Sequence, residues 1–317
     1  MDINKIRVIT IACRIISVAV LVGVAVWAIS GGMFFGRGMG SGFSNFHGSL
    51  DVESSQSVSA QGVRSLSIDW VAGHVDVMPW DGNEIRITEF SAQELRESEA
   101  LQLRTQDGVI AIEFMPGRLP RGNVAPKDLE VLIPRGLAGE LEKFSANGMF
   151  AGIAVSGIDA DVFVVSSVSG RVSLSDIDTT RLGASTTSGS IELLSVSADA
   201  MDLGSISGRV ELTGTQARRL DVETVSGRHE LYGAFEQISL TSVSGRVNLT
   251  SITLPADLRV NTVSGRVAIT VPDEGGISVQ HSSASGRLSS EIPMVTGSDA
   301  QFNIATVSGR VDIYALQ

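Results

Sequence analysis

The sequence predicts an all-β fold: a single-stranded parallel β-helix (β-solenoid) with coils of about 20 residues, preceded by one N-terminal transmembrane helix. Three observations predict it. The hexapeptide SVSGRV and its variants recur along the chain, apolar residues alternate on both sides of each copy, and a long apolar segment lies near the N-terminus. Aromatic residues make up only 5% of the chain, while Gly, Ser, Val and Ile are plentiful, which favours β-structure over helix.

The apolar segment spans residues 8–29 and contains only three polar residues. As a helix, 22 residues reach about 33 Å, enough to cross about 30 Å of hydrocarbon. Lys5, Arg7 and Arg14 lie at its N-terminal end, so the positive-inside rule places the N-terminus in the cytoplasm and the following chain outside. A cleaved signal peptide is the alternative. The long basic lead and Trp27 favour a retained anchor.

Composition shifts divide the chain into segments. Residues 1–30 are the cytoplasmic lead and transmembrane helix, and residues 31–62 form a Gly/Ser-rich linker. Residues 63–145 are the β-rich N-terminal part of the solenoid, with a hairpin-like insertion at about 83–126 that we expect to cap the rod. Residues 146–317 hold the regular repeats.

Each repeat centres on a glycine, numbered here as position 0, and consecutive glycines are 18 to 23 residues apart. The glycines are Gly170, Gly189, Gly208, Gly227, Gly245, Gly265, Gly286 and Gly309. This period is too short for a strand–helix–strand unit of about 30 residues but suits one turn of a solenoid. We therefore expect eight coils stacked in chain order, with strands about 4.8 Å apart.

Alternation with period two separates inward from outward columns. Positions −7, −5, −2, +2 and +4 are mostly apolar and predicted to point inward, together with the glycine. We expect one strand through −7 and −5 and another from −3 to +4, with −3, −1 and +1 pointing outward. An upstream match runs from Leu66 to Val77, and a partial coil begins at Leu129 and passes through Gly148.

The repeat resembles the bacterial putative-adhesin β-strand-repeat family, a domain of unknown function with the pattern T-x-S-G-x-[IV]-x-[LV]. The pattern is carried here by residues 187–191, 263–267 and their sister copies, and the resemblance covers about residues 63–317. With the N-terminal anchor, the chain is similar to membrane-anchored cell-envelope members, some encoded beside envelope-stress sensors. It departs from many relatives by carrying arginine rather than aspartate at +1, which weakens any inherited calcium-binding expectation.

The predicted outward face carries one arginine at +1 in every coil except that of Ser190: Arg171, Arg209, Arg228, Arg246, Arg266, Arg287 and Arg310. One interpretation is a ligand-binding arginine ladder for a polyanion, since guanidinium forks suit phosphates and carboxylates. The other is a self-paired face, because Glu192, Glu211, Glu230 and Asp312 at +3 are close enough to neutralise the arginines. The sequence favours the self-paired face.

No catalytic, cofactor-binding or metal-binding residues are predicted. The chain has one cysteine, Cys13, and hence neither a disulfide nor a cysteine metal site. Of its four histidines, His229 and His281 fall in inward columns. The acid pairs Asp159/Asp161 and Asp176/Asp178 fall where coils turn, and turns recruit aspartate.

The function predicted is therefore that of a non-enzymatic, membrane-anchored, extracytoplasmic cell-envelope protein acting as an adhesin-like interaction scaffold. The alternatives are an accessory modulator of an envelope-stress sensor and a polysaccharide-active β-helix enzyme. The expected partners are an anionic cell-wall polymer or an envelope membrane protein. The net charge of −11 argues against nucleic acid. The expected location is the cell membrane, single-pass, with the N-terminus cytoplasmic and the C-terminal domain outside.

Overall fold

The computed structural model of the chain describes residues 52–92, 94–114 and 125–316. This part is an all-β solenoid of about nine turns, as the repeats predicted. Its elements are β1 (Val52–Ser59), β2 (Ser65–Trp80), β3 (Glu84–Ser91), β4 (Gln102–Gln106), β5 (Val109–Glu113), β6 (Asp128–Pro134), α1 (Arg135–Ala138), β7 (Leu141–Ser156), β8 (Ala160–Ser167), β9 (Val172–Thr186), β10 (Ser190–Ser205), β11 (Arg209–Thr224), β12 (Arg228–Ser242), β13 (Arg246–Ser251), β14 (Asp257–Thr262), β15 (Arg266–Val271), β16 (Ser278–Ser283), β17 (Arg287–Ser290), β18 (Gln301–Thr306) and β19 (Arg310–Ala315).

The predicted transmembrane helix at 8–29 lies outside the described residues, as does most of the linker. Within the described ranges, no helix has the length and apolarity to cross a membrane. The predicted segment boundaries stay predictions.

Parallel pairing of equivalent residues builds the rod. Ile191 of β10 pairs with Val172 of β9 on one side and with Val210 of β11 on the other, a step of one repeat in each direction. Equivalent side chains therefore stack into continuous columns. The apolar columns form one core that extends from Val63 to Ile313.

The coils of β9, β10 and β11 have three buried runs separated by breaks in the alternation, whereas in β12 the alternation continues unbroken from His229 to Phe235. In β11 the first run is Val210 and Leu212, the second is Thr215 and Ala217, and the third begins at Leu220. Two consecutive exposed residues separate neighbouring runs, and Gly214 takes a positive φ of 62° at the first break. In these three coils the second run begins at +7, where Ile177, Val196 and Thr215 are buried, and it forms the second side of a three-sided coil.

The predicted orientation of the −3 column is wrong. These hydroxyl residues end the preceding strand and are buried in all but the outermost coil: Ser167, Thr186, Ser205, Thr224, Ser242, Thr262 and Thr306. The chain turns through positions −2 to 0. Before this corner the odd-numbered positions point inward, and after it the even-numbered positions do. The −2 residues, also predicted to point inward, are therefore only half-buried or exposed. The sequence prediction assumed that alternation continues from position −3 to +4, whereas the strand ends at −3.

Hydrogen bonds at this corner explain the hydroxyl residues. In seven coils the N–H of the glycine donates to the −3 hydroxyl, as Gly189 does to Thr186 at 2.9 Å. The −1 serine donates to the −2 carbonyl of the neighbouring coil, as Ser207 does to Thr187 at 3.3 Å. The hexapeptide therefore satisfies its own polar groups at a partly buried turn.

The glycines are required because neighbouring corners nearly touch. A methyl group on Gly208 would lie 1.7 Å from the carbonyl oxygen of Gly189, and one on Gly189 would lie 1.9 Å from that of Gly170. Both distances are far inside van der Waals contact. At these two corners, only a residue without a side chain fits between the stacked coils.

The last two coils do not stack in chain order, which corrects the sequential stacking expected from the sequence. β18 and β19 pair with β14 and β15, respectively, on one side and with β16 and β17 on the other. The final coil of the chain therefore lies beneath the coil of residues 278–290, which is outermost. For the same reason His281, predicted to point inward, is exposed.

At the N-terminal end, β2 reproduces the repeat, with Leu66, Ile68 and Val75 buried and Gly73 at the corner. It lies between β7 and the two strands β5 and β6, and pairs with all three in parallel. β3 and β4 add antiparallel strands outside β6 and β5, and β1 pairs with β3. Ala151 of β7, rather than Gly148, pairs with Gly73 and so occupies the glycine column.

Candidate ligand-binding face

All seven predicted arginines lie exposed on one column of the rod. Their Cα partners place Arg209, Arg228, Arg246, Arg266, Arg310 and Arg287 on six consecutive rungs. Arg171 lies two rungs before Arg209, because Ser190 occupies the rung between them. The out-of-order final coil thus places Arg310 between Arg266 and Arg287. We call this column the arginine ladder.

Among the described residues, carboxylates pair with the arginine ladder at two rungs. Arg171 Nη1 lies 3.4 Å from a carboxylate oxygen of Glu192, and Arg310 Nε donates to both oxygens of Asp312 at 2.8 and 2.9 Å. The bond to Asp312 raises the pKa of Arg310 above its usual value. The other five arginines, Arg209, Arg228, Arg246, Arg266 and Arg287, form no ion pair with any residue that the structure describes.

The +3 acids explain why self-pairing is incomplete. The side-chain amide of Asn248, one rung further along, donates to both carboxylate oxygens of Glu230, at 2.9 and 3.0 Å. That carboxylate is therefore bonded to its neighbour within the +3 column. At the next rungs, +3 is occupied by Asn248 and Ala268, which carry no charge. Whether the ladder binds a ligand stays a prediction.

A second outward column, at +5, was not singled out from the sequence. It carries the exposed side chains of Leu194, Tyr232 and Tyr314, which are 51%, 48% and 38% exposed. The same period-two alternation that placed the arginines outward also predicts this position. The face therefore combines guanidinium groups with apolar and aromatic surface.

The structure keeps one predicted acid pair, Asp159 and Asp161, in one groove and divides the other, Asp176 and Asp178. Asp159, Asp161 and Asp178 line an open groove of about 930 Å³ along the second side of the coils. Asp176 lies at a turn, with φ of 54°. The N–H of Asp178 donates to the carboxylate of Asp159 at 2.7 Å, so this acid joins adjacent coils.

Further along the groove, Asp199 pairs with Arg218 at 3.0 Å. Among the described residues, no group of three or more His, Cys, Asp or Glu side chains is arranged to hold a metal ion.

His229 is fully buried in the +2 column, where Val210 and Val247 occupy the adjacent coils. Its Nε2 is 2.8 Å from the hydroxyl of Thr224, and its Nδ1 has no partner. Burial lowers the pKa of His229 to about 4. Here the −3 hydroxyl bonds the histidine, whereas in the other regular coils it accepts the glycine N–H. The arrangement is that of a core residue, since the ring is fully buried and Thr224 is its hydrogen-bond partner.

Comparison with known proteins identifies the repeat. A family model described as Toastrack DUF4097 matches residues 63–312. A solved structure described as a "putative lipid binding protein" from Parabacteroides distasonis has a TM-score of 0.51 at 13% identity, covering 82% of this chain and 96% of that one. A "putative adhesin" from the same organism has a TM-score of 0.50 at 14% identity, covering 82% and 97%. These likenesses show the fold alone. No curated protein matches the chain.

Proposed function

The chain belongs to the Toastrack DUF4097 family, as the resemblance of its repeats indicated, and from this premise we propose that it is a non-enzymatic, membrane-anchored interaction scaffold of the cell envelope, adhesin-like in type. The N-terminal apolar segment holds the chain in the membrane, and the solenoid projects from the outer face. The arginine ladder is its binding surface, and the partner is an anionic polymer of the envelope.

The observation that carries this proposal is the set of five ladder arginines that form no ion pair within the described part of the chain. The chain as a whole is acidic, with a net charge of −11. Like charges about 4.8 Å apart repel one another, so the ladder costs stability unless an anion neutralises it. A polymer with repeating negative charge meets several rungs at once, and several weak contacts then act together.

The binding experiment uses the purified full chain in neutral detergent and a glycerol-phosphate wall polymer as the probe. We expect binding that weakens steeply with salt, because the Debye length falls from about 10 Å at 0.1 M to about 3 Å at 1 M. Serine at all five unpaired ladder positions should abolish binding. The matched control replaces five arginines off the ladder: Arg64, Arg104, Arg135, Arg218 and Arg259. Equal loss in both variants would contradict the proposal.

The two alternative functions give different outcomes in the same preparation. An accessory modulator of a stress sensor would cross-link to a membrane protein and leave the polymer unbound. A polysaccharide-active enzyme would shorten its polymer during incubation, and the acidic groove would be the first place to mutate. No specific observation favours either.

The anchoring is tested separately. Protease added to intact protoplasts should degrade the solenoid and leave a membrane-bound stub, because the proposed topology exposes everything after residue 30. A soluble mature protein that starts near Ile29 would show cleavage of a signal peptide instead. Protection of the solenoid until the protoplasts are lysed would place it in the cytoplasm.

A further inference from the structure

Net charge is not uniform along the arginine ladder. In the first half, +3 is acidic at three consecutive rungs, where Glu192, Glu211 and Glu230 stand. On the next two rungs, Asn248 and Ala268 replace the acids. The rung after these carries Asp312, which is bonded to Arg310. The outermost rung has Ser289 at +3 beside Arg287, and the pair of Arg310 and Asp312 separates it from the others. Uncompensated positive charge on adjacent rungs is therefore concentrated where Asn248 and Ala268 occupy +3.

Two arginines occupy this stretch. Arg246 and Arg266 are register partners on β13 and β15, so their backbones lie about 4.8 Å apart. Both side chains are exposed, and neither forms an ion pair among the described residues. Glu230, the nearest acid on the preceding rung, has both oxygens bonded to Asn248. The two guanidinium groups thus have no ion-pair partner among the described residues.

Resting on the proposed function, we propose that Arg246 and Arg266 form the principal anion site of the arginine ladder and that it binds phosphate groups. A guanidinium presents a planar fork of N–H donors that matches two oxygens at once. Two forks on adjacent rungs project from the same face, so one anion can contact both. A phosphate offers tetrahedrally arranged oxygens to both, whereas a planar carboxylate offers one edge, which a single fork fills.

Two double variants locate the site. Arg246→Ser with Arg266→Ser removes the pair, and Arg209→Ser with Arg228→Ser removes the same charge from two rungs with acidic +3 neighbours. The probe is the glycerol-phosphate polymer, titrated against the full chain in neutral detergent. We expect the first variant to lose at least about ten-fold in affinity and the second about two-fold or less. Equal losses would overturn the location while leaving the proposed function in place. If neither variant loses affinity, both fail.

Two further probes separate the chemistry and its source. Polygalacturonate carries carboxylates, and micelles with phosphatidylglycerol carry lipid phosphate. Phosphate specificity predicts that polygalacturonate binds more weakly than the polymer, and equal binding would overturn it. Binding to phosphatidylglycerol micelles but not to the wall polymer would identify the lipid headgroup as the source of the phosphate, and the opposite result would identify the polymer.

A third variant tests the site without removing either arginine, so that a loss of binding is not explained by misfolding of an arginine variant. Ala268 lies at +3 beside Arg266, as Asp312 lies beside Arg310. Ala268→Glu should therefore pair with Arg266 and weaken phosphate binding, while Ala268→Gln should not, because it lacks the charge. Thermal melts of both variants should match the wild type. Unchanged binding by a well-folded Ala268→Glu would overturn the proposed site.

Discussion

The middle of the rod and its C-terminal end carry the same hexapeptide but stack it differently. From β9 to β12, each coil lies on the one before it in the chain. At the end, the coil of β18 and β19 lies beneath the earlier coil of β16 and β17. The hexapeptide forms a corner in both places, so it does not determine the order in which coils stack.

The inward residues explain the order at the end. Phe302 and Ile304 of β18 are fully buried or nearly so, whereas Val279 and His281 occupy the same columns in β16 and are partly or wholly exposed. A coil at the end of the rod has only one neighbour, so its inward face is less well covered. Placing the more polar coil outermost buries more apolar area and gives the open end a polar cap.

The largest effect should come from deleting a side chain of the inner coil. Phe302→Ala leaves a cavity between two neighbouring coils, and we expect a loss of about 3–5 kcal/mol in the free energy of unfolding. Val279→Ala, its register partner in the outermost coil, should cost much less because Val279 is only partly buried. Denaturant unfolding of both variants measures the difference. Comparable losses would show that the outermost coil is packed as tightly as the inner one.

His229 distinguishes one middle coil from its neighbours and makes the stability depend on pH. Its pKa is about 4 in the fold and about 6.5 when unfolded, so between these values the unfolded chain binds more protons. The stabilising contribution is complete above pH 6.5 and is lost as pH falls towards 4, by about 3 kcal/mol in total.

His229→Val restores the residue type of Val210 and Val247 and frees Thr224 to accept the N–H of Gly227, as in the other coils. The stability difference between variant and wild type should therefore grow from pH 7 to pH 4.5. A difference that does not change with pH would mean that His229 titrates normally in the fold.

The corner of the middle coils should be sensitive to a single methyl group. Gly208→Ala places Cβ against the carbonyl oxygen of Gly189, and overpacking of this kind costs about 1–3 kcal/mol or more. The matched control is Gly204→Ala in the same coil, where the nearest atom, Cβ of Ser185, would be 3.6 Å away. That change should be neutral or slightly stabilising. Thermal melts that rank the two variants equally would contradict the close approach of the corners.

The repeats were enough to predict the solenoid, because a column that recurs at each coil is a local signal. Two features depended on information that one repeat does not contain. The parity change at the corner follows from the hydrogen bond between Gly189 and Thr186, which ends the strand where alternation predicted that it continues. The exchanged order of the last coils follows from a competition between two segments with the same motif, which long-range burial decides.

The candidate site was predicted in position but not in pairing. Alternation placed the seven arginines outward, and spacing alone suggested that the +3 acids neutralise them. The direction of each carboxylate depends on its neighbours on adjacent rungs, and Glu230 is bonded to Asn248 from the next coil. Sequence columns identify which residues share a face, but not which of two reachable partners a side chain takes.

The smallest predicted effect is a difference in stability between substitutions at two rungs of the arginine ladder. Arg266 belongs to a coil that stacks in chain order on the preceding coil, and Arg310 belongs to the final coil of the chain. Arg310 donates to both oxygens of Asp312, whose side chain is only 8% exposed, so Arg310→Ser leaves a nearly buried carboxylate without its charged partner. Arg266 has no such partner among the described residues and lies between two other arginines. Arg266→Ser therefore removes repulsion without breaking a described ion pair. Thermal melts at low ionic strength should give a lower Tm for Arg310→Ser and an unchanged or higher Tm for Arg266→Ser. Equal decreases would mean that Arg266 also stabilises the folded coil, as expected if the +3 acids neutralise the whole ladder.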